Sequence, residues 1–92
     1  MKISELEANV KVVNLAGTIS HLDEPSETPN GVKVQEGILE DASGQVKLTL
    51  WDDNVGKFSL GDKIIISTGW CKTFEGELKV STGKYGKIEK IA

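Results

Sequence analysis

Not one of the 92 residues is arginine; all eleven basic residues are lysine. Without a guanidinium fork to grip guanine edges bidentately, sequence-specific reading of a duplex major groove is a poor fit. Lysines still serve as point charges along a phosphate backbone. Cysteine occurs once, at Cys71, and histidine once, at His21. An intramolecular disulfide is therefore excluded, and no Cys/His set for zinc can be assembled, so redox chemistry, a bound metal and a cofactor are not expected. No apolar run approaches the roughly 20 residues that cross a bilayer, and no charged n-region, apolar stretch and cleavage site open the chain. The expectation is a soluble, intracellular protein without a membrane partner.

What the chain does contain describes one small domain over residues 1–92, with 38% hydrophobic and 27% charged residues. Ten glycines and many short Val/Ile/Leu alternations point to an all-β chain with tight turns. The net charge of −3 runs against the excess positive charge usual in proteins that bind phosphate backbones. Its distribution is uneven. Residues 1–45 carry three lysines against eight acids, a balance of −5, whereas residues 46–92 carry eight lysines against six acids, a balance of +2. Any electrostatic footprint for an anionic partner lies in the second half.

Ser4 to Glu7 reads as at most an N-capped turn of helix. From Asn9 to Ile19 the alternation Val10, Val12 shifts phase to Val13, Leu15, Gly17 and Ile19, as a long, bulged first strand would. His21 to Gly31 holds both prolines and ends in Asn-Gly, so it reads as a loop. A second strand from Val32 to about Glu40 sets Val32, Val34 and Ile38 on one side, with Gly37 as a bend. After the turn Asp41-Ala42-Ser43-Gly44, Val46-Lys47-Leu48-Thr49-Leu50-Trp51 has the cleanest period of two in the chain. Asp52 to Leu60 is a connector with room for a helical turn. A fourth strand from Lys63 leads through Gly69-Trp70 to Phe74, and the turn Glu75-Gly76 opens a fifth, Glu77 to Ser81, with Leu78 and Val80 inward and Lys79 outward. Ile88 and Ile91 give the tail something to bury. Five strands in a meander, with glycine or bulge devices at the bends, match a partly open five-stranded barrel, with an SH3-like barrel as structural competitor.

A base has a π-face whatever its identity, so a surface that holds single strands without reading sequence needs exposed flat aromatics with cations nearby. Trp51 is out of phase with Val46, Leu48 and Leu50, which turns it outward with Lys47 and Thr49. Trp70, Lys72 and Phe74 share one parity. Ile64 and Ile66 fall on that same side unless Gly69 resets the phase, so both a buried and an exposed reading of Trp70 and Phe74 stand at this point. If strands three, four and five pack side by side, both groups join Lys79 on one platform. Tyr85, in the basic stretch Gly83 to Lys87, is read as turn packing or as a fourth base contact. His21 reads as a solvated loop residue and Cys71 as a small buried filler. Asp52-Asp53, without a histidine or third ligand, reads as a cap or solvated turn, so no catalytic residues are assigned.

Val46 to Trp51, Gly61-Asp62, Gly69-Trp70 and Phe74-Glu75-Gly76 resemble the OB-fold single-stranded-DNA-binding proteins of archaea. These include the simple crenarchaeal type, archaeal replication protein A domains and the related eukaryotic sensor-of-ssDNA B subunits. The resemblance runs from about Ser4 to Ile91 and is most specific from Ile38 to Gly83. It implies a Greek-key, partly open OB barrel and base stacking on Trp51, Trp70 and Phe74, which favours their exposure. Lys47, Thr49, Lys72, Lys79 and Tyr85 complete the expected contact set. The implied function is sequence-tolerant binding of single-stranded DNA in replication, repair or recombination by a non-enzymatic monomer, cytoplasmic and nucleoid-associated, with replication or repair proteins as further partners. Two departures from the family stand out: the loop after strand one carries Asp23, Glu24 and Glu27 where basic residues are common, and residues 1–92 include no partner-recruiting tail, so the expectation is a minimal protein or one module of a multi-OB chain. An RNA-binding OB module of the tRNA type and a protein–protein OB domain of a replication complex are the alternative readings.

Overall fold

The computed structural model describes residues 1–82 and 86–91. Among these residues seven strands make one sheet: β1 (Val10–Leu22), β2 (Ser26–Glu27), β3 (Lys33–Asp41), β4 (Gly44–Trp51), β5 (Lys63–Phe74), β6 (Glu77–Ser81) and β7 (Lys87–Lys90). Hydrogen-bonded neighbours follow the order β1-β3-β4-β6-β5, and β5 pairs back onto β1, so five strands close into the OB barrel. Two strands lie outside that ring: β2 pairs with β3, and β7 pairs with β5. The helical segments among the described residues are two 3₁₀ turns, Ile3–Glu5 and Asp52–Asn54.

The order departs from a plain meander. After β4 the connector carries the chain across to β1, where β5 pairs antiparallel from Val10↔Cys71 to Thr18↔Lys63. The hairpin then returns β6 into the gap, antiparallel to β5 and parallel to β4. Each of the five barrel strands is thereby paired with two others.

Alternation along the strands builds the core. Leu15 and Ile19 from β1, Leu39 from β3, Leu48 and Leu50 from β4, Ile64 and Ile66 from β5 and Val80 from β6 are all fully buried. Ile3, Leu6, Phe58 and Ile88 add to the same cluster from outside the five-stranded ring. The phase shift of β1 falls at Asn14, whose φ is 50°, and not at Val13. Val12 points inward, Val13 is exposed, and inward packing resumes at Leu15. β5 slips in step: Ile64 and Ile66 are buried, then Gly69 and Cys71, with Val12 opposite Gly69 and Leu15 opposite Ile66. A Cβ on Gly69 would sit 2.8 Å from the Ser81 carbonyl oxygen and 2.9 Å from Ile66, so the slip needs glycine.

Two further differences concern the N-terminal half. β1 continues through His21 to Leu22, and Ser26–Glu27 pairs with Lys33–Val34, so the stretch read as loop is partly sheet. On β3 the inward residues are Gln35, Gly37 and Leu39; Val34 and Ile38 lie half-buried on the outer face. Gln35 is accommodated because its side chain accepts the Gly56 N–H at 3.1 Å and donates to the Asp23 carbonyl at 3.0 Å. At the β3–β4 turn the Asp41 carboxylate accepts the N–H groups of Ser43 at 2.7 Å, Gly44 at 3.1 Å and Ile3 at 2.9 Å. The bond from Ile3, together with the Ser4 N–H donating to Ser43 Oγ at 3.0 Å, pins the first 3₁₀ turn to the barrel. Hydrogen bonds from the Ser43 side chain and from Ile3 hold the Asp41 carboxyl below its ordinary value of 3.8.

Candidate nucleic-acid interface

The outer face of β3-β4-β6-β5 is laid out by register alone, because directly paired residues project to the same side. One rung crosses the sheet as Glu36, Thr49, Ser81 and Trp70. The next crosses as Ile38, Lys47, Lys79 and Lys72, three lysines on three adjacent strands. Phe74 faces Glu77 beyond the lysines, and Trp51 faces Val34 at the opposite end. Trp51 is 37% exposed, Trp70 41% and Phe74 56%, which is unusual for three of the largest apolar side chains in so small a domain.

The sheet surface is concave. A groove of about 560 Å³ runs over it, bounded by Trp51 and Phe74 and floored by Thr49 and Ser81. Thr49 is 6% exposed, so it presents little more than its tip to the groove. Trp70 does not line this groove; it sits on the same face but on the flank toward β1, where its partner in register is Lys11. The rings therefore form two groups, a pair across the groove and one beside it.

Two of the lysines are held by carboxylates on the same face. Lys79 Nζ lies 2.6 Å from Glu36 Oε1, and it also stands 4.7 Å from the centre of the Phe74 ring, a cation–π contact. Lys47 forms an ion pair with Glu77. That bond and its charge raise the Lys47 ammonium above its ordinary value and lower the Glu77 carboxyl below its own. Lys72 has no ion-pair partner among the described residues.

Of the residues expected from sequence, Trp51, Phe74, Lys47, Thr49, Lys72 and Lys79 come together around the groove, and Trp70 lies adjacent. Tyr85 falls outside the described residues. His21 is exposed at the end of β1, with its Nε2 2.6 Å from Asp23 Oδ1. Cys71 is buried directly beneath the face, between Trp70 and Lys72 in sequence, and burial pushes its thiol up. Sequence reasoning missed Glu36, Glu77 and Lys11. The first shares parity with Val34, and the second is opposite Phe74 in any two-residue hairpin through Glu75-Gly76, whose φ values of 51° and 82° are those of a type I′ turn. Lys11 becomes visible only once β1 is known to lie against β5.

The family model "Single-stranded DNA binding protein Ssb-like, OB fold" matches residues 2–90. The chain is 32% identical over 94 residues to the single-stranded DNA binding protein Ssb of Saccharolobus solfataricus, covering 99% of this chain and 64% of that protein. It thus spans less than two thirds of the length of that relative. Among solved structures, a domain of replication protein A from Methanococcus maripaludis superposes with a TM-score of 0.83 at 24% identity, covering 99% of this chain and 93% of the other. The replication factor A related protein of Methanobacterium thermoautotrophicum gives 0.80 at 22% identity, covering 99% and 89%. At these identities the two structures establish the fold, and the sequence matches establish kinship: the chain belongs to the Ssb-like family of single-stranded-DNA-binding proteins with the OB fold.

Proposed function

We propose that this chain binds single-stranded DNA without strong sequence preference, stacking bases on Trp51, Trp70 and Phe74. The observation that carries this reading is the exposure of three large rings on one sheet face that also bears Lys47, Lys72 and Lys79. Each stacked base contributes about 1–3 kcal/mol as judged by alanine substitution, enough for three stacks to outweigh a few lysine–phosphate contacts at moderate salt. Trp51 and Phe74 sandwich the bases that enter the groove, with Thr49 beneath them, and Trp70 takes a base on the β1 flank. A domain of this size engages on the order of 4–5 nucleotides. Tyr85 is a further contact candidate on the strength of its basic sequence context.

The site acts by binding alone and needs no cofactor. A role in replication is in keeping with the names of the replication protein A and replication factor A related neighbours; we extend it to repair and recombination, with the chain acting as a monomer in the cytoplasm or nucleoid and in contact with other replication proteins. Titration of the intrinsic tryptophan fluorescence with short oligo-dT tests the reading. Strong quenching in the wild type is expected; a Trp51→Ala/Trp70→Ala variant, which has no tryptophan left, should fail to raise the fluorescence anisotropy of a dye-labelled oligo-dT while still melting cooperatively as followed by circular dichroism. Unquenched wild-type fluorescence would overturn it. Competition with oligo-U of equal length then measures DNA against RNA, since stacking ignores the 2′-hydroxyl.

A further inference from the structure

The groove is lined by Lys47, Lys72 and Lys79 and by Glu36, Glu75 and Glu77, so it is formally neutral. That balance is unusual for a site whose ligand is a polyanion, because phosphate contacts ordinarily dominate affinity through counterion release. Here two of the three cations already have a carboxylate in contact, Lys79 with Glu36 and Lys47 with Glu77. A phosphate approaching either lysine meets a charge already neutralised and a carboxylate that repels it. Neither tryptophan ring has such a competitor among the described residues; the Phe74 ring carries the Lys79 ammonium over it.

We propose that Glu36 and Glu77 are specificity-determining residues: they make the groove select for unpaired bases over backbone charge, so that a neutral-backbone oligonucleotide is held nearly as well as its phosphodiester counterpart. This rests on the groove being the single-strand site proposed above. With the two ion pairs intact, Lys72 is the groove cation left for a phosphate. Each neutralised phosphate of a single strand adds about 0.7 to the steepness of log K against log salt, so with Lys72 in the groove and Lys11 on its flank the wild-type slope is expected to be no steeper than about −1.4. The glutamate side chains are about half exposed, 52% for Glu36 and 58% for Glu77, so replacing them by glutamine leaves the core untouched.

The test uses the full chain and two oligothymidines of equal length, one phosphodiester and one methylphosphonate, titrated by tryptophan fluorescence at several salt concentrations. Wild type, Glu36→Gln/Glu77→Gln, and a control of equal charge change at exposed glutamates outside the groove, Glu7→Gln/Glu24→Gln, are compared. The wild type is expected to bind the two oligomers within about tenfold of each other, because stacking supplies most of the affinity. The groove variant steepens the phosphodiester slope by about 1.4, two freed lysines at ~0.7 each, while its methylphosphonate affinity stays unchanged and the control shifts the slope by less than half as much. A wild type that loses more than tenfold on the methylphosphonate, or a control that steepens as much as the groove variant, overturns the inference while leaving single-strand binding intact. No phosphodiester binding by the wild type would instead remove the proposed function, and this inference with it.

Discussion

The two halves of β5 carry the same kind of sequence and do opposite things. From Lys63 to Ile66 the even-numbered residues Ile64 and Ile66 are fully buried between β1 and β7. From Trp70 to Phe74 the even-numbered residues Trp70, Lys72 and Phe74 stand outside, and Cys71 takes the core position. The difference is a one-residue slip between Ile66 and Gly69, matched on the neighbouring strand by Asn14 in a left-handed conformation. One continuous strand thus serves as barrel wall and as ligand platform. Apolar character alone does not say which side of a sheet a residue faces; the phase at that point of the strand does.

Substitutions in the two halves should separate stability from binding. Ile66→Ala is expected to have the largest effect, about 2–5 kcal/mol of stability in urea unfolding, with the affinity of the folded fraction unchanged. Trp70→Ala reverses the pattern: about 1–3 kcal/mol of single-strand affinity lost by fluorescence or calorimetric titration, and a midpoint of thermal unfolding close to wild type. Gly69→Ala strikes the slip itself and should lower both readouts, with about 1–3 kcal/mol of stability lost because the added methyl runs into Ser81 and Ile66. If it lowers only one, the halves are not mechanically joined. Lys11→Ala, beside Trp70 on β1, should weaken binding a few-fold and make the salt slope shallower by about 0.7.

Asp41→Asn lies outside both halves and is the smallest expected change. The Asp41 carboxyl is depressed in the folded state, so its contribution is fully present above its ordinary value of 3.8 and fades as pH falls through the lower folded value. The variant should melt below wild type at neutral pH, and the gap should close on acidification in that window. A constant gap would mean that the Asp41 charge is not what pins the first turn.

Much of this was legible beforehand, and the reason differs from element to element. β4 announced itself because both its faces are consistent: Val46, Leu48 and Leu50 go in, and Lys47 and Trp51 stay out. The β5–β6 hairpin was readable from Glu75-Gly76, which fixes both turn and register. The orientation of Trp70 and Phe74 was not settled by spacing, since a slip at one glycine inverts the pattern and glycine has many other uses. β3 misleads for a different reason. Val34 and Ile38 share the outer face of the sheet with Trp51 and Lys47, and the buried side carries Gln35, whose burial depends on partners 12 and 21 residues away. The ion pairs of Glu36 and Glu77 need the strand order β3-β4-β6-β5, which no local pattern encodes.

Cys71 lies under the rings with no exposed surface. Its sulfur is therefore a natural gauge of whether the platform is seated. A thiol reagent reaches it only when the end of β5 lifts from β1 and β6, so the labelling rate counts those openings directly. A ligand spanning Trp70 and Phe74 would clamp the strand and slow the labelling, giving a readout that works for oligonucleotides too short or too weakly bound to shift a melting curve.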